Sequence, residues 1–393
     1  MRNVIVIITF FHLSFSVFSQ ESSLEISSNI GLFNSSINEP LLSESYGFLD
    51  NTEKANIIAA LKSKNYLQFE WDNEISYEHK KGWGLSFGNH VALYGSYSKP
   101  LVELILFGNA PYKGEQLDLS PVKLTTYHYS KLEAYYQWHP KFSTSVAFIG
   151  GHQMANFDIK NAVFSTGESG SSVAYEVDFE GHYTDTTNII NNLFNLNGKG
   201  AALGFTYRDS VGNGSFIVSV QDLGFIEWDE TTNNRHVNSS WSFEGINVDD
   251  FIAFNDSLLS SEFDSLQSIF NLVKKESYTW RLPTTLAFST IQKTNLTYID
   301  AIRFSAVHKS GIYELPRVSL DLMKSFKKHE FILGYHIGGY ERPGFQFGYG
   351  FSGQKMTYSL FTKQANSIVP SQNYGLHLSF GIKRVFSTSK QTK

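Results

Sequence analysis

The thirteen residues from Tyr374 to Phe386 read YGLHLSFGIKRVF, and their parity decides the fold. Tyr374, Leu376, Leu378, Phe380, Ile382 and Phe386 fall on one face, broken by Arg384. Gly375, His377, Ser379, Gly381 and Lys383 fall on the other, small or polar until Val385. One face wants hydrocarbon and the other water. Alternation of this length exceeds the usual ~5–6 residues of a soluble strand and matches the ~9–11 residues with which a tilted strand crosses a bilayer. A soluble β-sandwich edge rarely alternates so far.

Working outward, the strongest internal segment is Tyr66 to Glu78. Leu67, Phe69, Trp71, Ile75 and Tyr77 form one stripe, opposed by Gln68, Glu70, Asp72, Glu74, Ser76 and Glu78. In a barrel the second stripe turns inward, so Glu70, Asp72, Glu74 and Glu78 become candidate lumen lining, either a solvated or internally salt-bridged wall or a cation-favouring pore surface. Lys80-Lys81-Gly82 reverses the chain, and Trp83, Leu85, Phe87, Val91 and Leu93 continue the outward stripe, which reads as a hairpin. Further strands are expected over 122–138, 142–166 and 173–182, then as a pair at 203–207 and 216–220 about a turn at Asp209 to Gly214, and in regular succession from Pro283. Gly150 and Gly151 mark a bulge in the long strand.

The count is roughly 14 to 16 strands. The expected fold is all-β: a transmembrane antiparallel β-barrel with a few short helices in its loops, two of them at Thr52 to Leu61 and Pro100 to Phe107. A third helical segment is expected between Asp249 and Lys275, where Leu259, Phe263, Leu266, Phe270 and Val273 recur at spacings of four and three as an apolar strip over the barrel mouth.

Composition agrees. The 393 residues include 33 Phe and 21 Tyr against 9 Pro and 4 Met. A net charge of −5 offers no basic field to gather nucleic acid, and without cysteine there are neither disulfides nor thiolate metal sites. Residues 1–19 have the basic start, apolar core and compact end of a cleaved secretory signal, and Gln20 leaves no cysteine there for a lipid anchor. Residues 20–65 are expected to hold an N-terminal strand and a helical segment able to plug the lumen, 66–386 the barrel with 249–275 as an external helical loop, and 387–393 a tail. With both termini on the inner side of the outer membrane, Lys327-Lys328 and Gly353 fall inside, and Gly339 to Gly344 and Ala365 to Ser371 outside.

Specific residues also look familiar. Asn65-Tyr66-Leu67, Phe107-Gly108-Asn109-Ala110, Gln221-Asp222-Leu223-Gly224-Phe225-Ile226-Glu227-Trp228, Phe243-Glu244-Gly245-Ile246 and Leu282-Pro283-Thr284 resemble, in order and spacing, an uncharacterised Bacteroidota outer-membrane barrel family. An Asn-Pro-Ala-like element expected soon after the signal is missing. More distantly the chain is similar to long-chain fatty-acid channels and to barrels of the type IX secretion system. The resemblance implies location and fold, not activity.

No catalytic, cofactor or metal site is expected. The twelve histidines include no HExxH or other metal-ligand pairing, and His336 and His377 sit at inward strand positions. The expected function is non-enzymatic: a channel or transporter for a small solute, hydrophobic ones included. The alternative is a plugged barrel that serves as scaffold or partner of secretion-system components. Expected partners are outer-membrane lipid and, during insertion, the barrel-assembly machinery.

Overall fold

The computed structural model describes residues 21–38, 49–184, 196–244, 273–369, 371 and 373–386. Residues 1–20, where a signal is expected, residues 185–195, the expected tail 387–393 and the loop-helix positions Leu259, Phe263, Leu266 and Phe270 lie outside them, and only Val273 of that strip is described.

The first half of the chain forms β1 (Ser22–Asn34), β2 (Lys64–His79), β3 (Trp83–Ser98), β4 (Gln116–Asp118), β5 (Val122–His139), β6 (Phe142–Thr166), β7 (Val173–Tyr183), β8 (Gly198–Val211), β9 (Gly214–Trp228) and β10 (Asn233–Phe243). The second half adds β11 (Lys274–Lys275), β12 (Tyr278–Arg281), β13 (Thr285–Leu296), β14 (Ile299–Lys309), β15 (Arg317–Phe326), β16 (His329–Ile337), β17 (Gly344–Ser352), β18 (Met356–Thr362) and β19 (Gly375–Phe386). Among the described residues two α-helices, α1 (Asn51–Ala60) and α2 (Lys99–Phe107), sit in the connections.

Fourteen strands form a closed antiparallel ring in the order β1, β2, β3, β5, β6, β8, β9, β13, β14, β15, β16, β17, β18, β19. Closure is made by β1, which pairs with β19 from Ser22↔Phe386 to Phe33↔Gly375 and with β2 from Ser23↔Glu78 to Asn34↔Leu67. The wall therefore begins at Ser22, not Tyr66, because Leu24 to Leu32 alternate in the same register as their two neighbours. A closed ring pairs its backbone groups within the wall, as a bilayer demands.

Parity follows the sequence. Leu378 is 45% exposed beside His377 at 1%. Outward side chains such as Ile26, Trp71, Phe87, Leu132, Phe148, Leu203, Phe225, Leu320, Leu333 and Phe345 stay exposed around the ring, a belt suited to lipid. The tight turns at 80–82, 212–213 and 327–328 lie at the end where the termini meet, called here the terminal end, and Gly353 shares it. The opposite, loop end carries α1, α2, Gly339 to Gly344 and, of the segment expected outside, residues 365–369 and 371.

One sector is taller. The first ten residues of β6 pair with β8, while Ala155–Thr166 pair instead with β7, which in turn carries β10. The bulge falls at His152, since Tyr129 pairs with Gly151 and His128 with Gln153. Near the rim α1 starts with a capping box, Asp50 accepting from the Thr52 and Glu53 amides and Glu53 from Asp50. Gly108 ends α2 at φ 69°, a conformation that favours glycine.

Candidate functional site

The lumen is divided along its length. Towards the loop end inward side chains of β3, β5, β6, β8, β9 and β12 meet in an apolar collar around Tyr94, Tyr127, Tyr129, Ile149, Met154, Ile226, Trp228 and Trp280. Ile312 and Tyr313, from the connection between β14 and β15, fold in to complete it. Tyr127 lies 5.0 Å from Trp280 and 5.5 Å from Tyr129, ring centre to ring centre, within the range of favourable aromatic pairs. Glycine makes the space: a Cβ on Gly151 would meet the Trp228 ring at 2.8 Å.

Below the collar lies a cavity of about 390 Å3. Glu70, Asp72, Glu74 and Glu78 all line it, facing Gly31, Asn29, Ser27 and Ser23 of β1. The structure brings these four acids together with bases the local sequence pattern did not reveal. The lining holds seven carboxylates and six Lys or Arg side chains, so the surplus visible on β2 alone is nearly balanced by the rest of the wall. Asp72 Oδ1 lies 2.9 Å from His90 Nδ1 and accepts from it when the imidazole carries its proton there. Lys383 stands 3.8 Å from Glu25 and 3.9 Å from Glu78.

Two ion pairs bridge separate strands within the lumen, and one of them crosses it. Lys309, the last residue of β14, donates to Glu70 of β2, a strand on the far side of the ring, and the Tyr94 hydroxyl donates to the same carboxylate. Lys309 also donates to Tyr94 Oη at 3.1 Å, so this bar is fastened to the collar. The second bar joins Lys131 of β5 to Asp222 of β9 at 3.0 Å, with Glu133 3.3 Å away on the near wall. Asp222 reaches inward through a bulge: Leu203 pairs with Leu223 and Phe205 with Val220, leaving Gly204 opposite both Gln221 and Asp222. Its φ of 58° is a left-handed conformation that aspartate tolerates better than most residues.

A further inward set is packed shut. Arg303 donates from Nε and Nη2 to Asp321 Oδ2, both at 2.7 Å, and Gln346 donates to the other oxygen. Asp321 fits because its neighbour is Gly334, where a Cβ would come within 1.9 Å of it.

The loops over the collar are tied down. Glu314 accepts from Lys64 and, at 2.6 Å, from the Tyr66 hydroxyl, and the Lys64 and Tyr66 hydrogen bonds hold its carboxyl below the usual range. Burial opposes ionisation of Glu341, but Arg317 at 3.3 Å and Lys363 overcome it and hold that carboxyl well below the usual range. His336 Nε2 lies 3.1 Å from the same carboxylate. His336 and His377 are buried and inward, and no group of three or more metal-ligating His, Cys, Asp or Glu side chains occurs among the described residues.

A ring that pairs end to end, with hydrocarbon outside and charge within, is a transmembrane β-barrel. The chain belongs to DUF5723, a family of unknown function, which matches residues 11–354. No curated protein matches it in sequence. Among solved structures it is similar to a FadL homologue of Pseudomonas aeruginosa, with 8% identity over 93% of this chain and 91% of that one and a TM-score of 0.43. It is also similar to the Ralstonia pickettii toluene transporter TbuX, at 8% identity, 94% and 90% coverage and a TM-score of 0.39. The P. putida toluene transporter TodX gives 9% identity, 93% and 89% coverage and a TM-score of 0.37. Likenesses this distant carry no argument about function.

Proposed function

We propose that the protein is a non-enzymatic channel of the outer membrane that passes a small solute from the loop end, through the aromatic collar, into the charged cavity and out at the terminal end. The observation that supports this best is the cavity itself. A barrel kept only as a rigid scaffold has no need of a charged space inside it, since desolvating ionic groups costs stability that well-packed apolar residues would not. The collar and the two ion pairs stand in that path, so passage requires the Ile312-Tyr313 segment to yield.

Planar-bilayer recording of the full chain tests the reading. Small, fluctuating conductance is expected. It should rise when Tyr313→Ala opens the collar. No conductance from either protein would defeat the channel and leave the scaffold for a secretion or surface-assembly complex.

A further inference from the structure

The Glu70–Lys309 pair sets a chemical condition on whatever passes or binds. Each partner comes from an opposite wall, and Glu70 is buried. Separating them leaves Lys309 without its counter-charge and the buried Glu70 with only Lys363, which Glu341 also claims, so each member needs a new partner. A solute with a single positive charge can satisfy Glu70 but strands Lys309. A single negative charge does the reverse, and a neutral molecule satisfies neither. A solute carrying both charges can replace the pair from within, its cationic group taking the place of Lys309 on Glu70 and its anionic group the place of Glu70 on Lys309.

The surroundings narrow the solute further. Tyr94 hydrogen-bonds both members of the pair, and its ring lies 6.1 Å from that of Tyr127, which continues to Tyr129 and Trp280. Directly beside the charge pair, then, is a seat for an apolar body. The second bar is less demanding. When Asp222 withdraws from Lys131, Glu133 at 3.3 Å still compensates the ammonium. Selection therefore belongs to the first bar. We infer that the cavity beneath the collar is a binding site for small zwitterions that carry an apolar or aromatic group, recognised by exchange with the Glu70–Lys309 pair. The inference rests on the channel reading for its route but not for its chemistry.

The test is equilibrium binding, by calorimetry, of four molecules of one shape to the full chain in detergent: phenylalanine, 3-phenylpropionate, phenethylamine and 2-phenylethanol. Phenylalanine is expected to bind more tightly than each of the others by about tenfold or more. The double variant Glu70→Gln with Lys309→Met should erase that preference, while the exchanged pair Glu70→Lys with Lys309→Glu should retain it. Equal or tighter binding of the anion, the amine or the alcohol by the unmodified protein overturns the inference, and so does failure to bind phenylalanine. An undiminished preference in the double variant overturns it as well. Conductance without zwitterion preference removes this site and spares the channel, whereas zwitterion binding without conductance removes the channel and spares the site.

Discussion

The two ends of this lumen are made by the same strands and the same alternation, yet one is filled with rings and the other with charge. Along β5, inward Tyr127 and Tyr129 belong to the collar, while Lys131 and Glu133, only two and four residues further on, line the cavity. Along β9, Trp228 and Ile226 belong to the collar, and Asp222 to the ion pair with Lys131. Parity selects the face but not the contents. What separates the two regions is whether inward side chains are bulky enough to fill the ring. Near the loop end they are large enough, and helped enough by Ile312 and Tyr313, to exclude space. Lower down, Ser23, Ser27, Ser86, Ser143 and Ser219 are small and leave a void.

The largest effect expected from breaking that difference is at Trp228. Fully buried, it is a keystone of the collar. Trp228→Ala should cost on the order of 3–5 kcal/mol, the usual range for removing a buried tryptophan. Urea midpoints of the folded barrel in lipid vesicles would measure it. Glu74→Gln, in the open cavity, should cost far less, and comparable losses at both sites would show that the cavity is as tightly packed as the collar.

Next in size is the contrast between wall faces. Leu378 is outward and exposed, and Ser379 is inward, donating to Asn29 Oδ1 at 2.7 Å. Leu378→Arg should cost about 2–4 kcal/mol if the site lies near the bilayer midplane. Ser379→Arg points into the cavity and should be milder. The yield of heat-modifiable folded barrel after refolding into vesicles separates the two, and equal damage would contradict the assignment of faces.

Much of the wall was legible because its signal is local. The long strand expected over 142–166 is β6 with those ends, and the final strand lacks only Tyr374 at its start. The acids of β2 were legible as a face for the same reason. Their partners were not. Lys309 meets Glu70 across 239 residues of chain, and nothing in either strand encodes the other. Inward lysines at Lys131 and Lys309 could have been picked out by parity alone as candidate counter-charges, but not assigned to an acid. Asp222 was harder still, because a bulge breaks the alternation on which such reading depends. The segment carrying Ile312 and Tyr313 gave no sign of folding into the lumen, since connections are ordinarily solvent-facing.

The smallest effect concerns how that segment is held. Glu314 ties it to β2 through Lys64 and Tyr66. Its carboxyl titrates below the ordinary 4.5 because both partners favour the ionised form, Lys64 first. The sign follows from linkage: a group whose folded value is depressed contributes stability that is fully present above its unfolded value and is lost as pH falls through the folded one. Near neutrality the tether is intact, and acidification below the ordinary carboxylate range should loosen residues 310–316 before the wall responds. The group is exposed, so the loss should be modest and partly screened by salt. Hydrogen exchange read by mass spectrometry should show faster exchange in a peptide covering 310–316 at low pH, after correction for the intrinsic rate, with the β15 peptide unchanged. Glu314→Gln should bring the faster exchange to neutral pH and remove its pH dependence. If the variant and the unmodified protein exchange alike throughout, the tether does not hold the collar, and the closed state depends on aromatic packing alone.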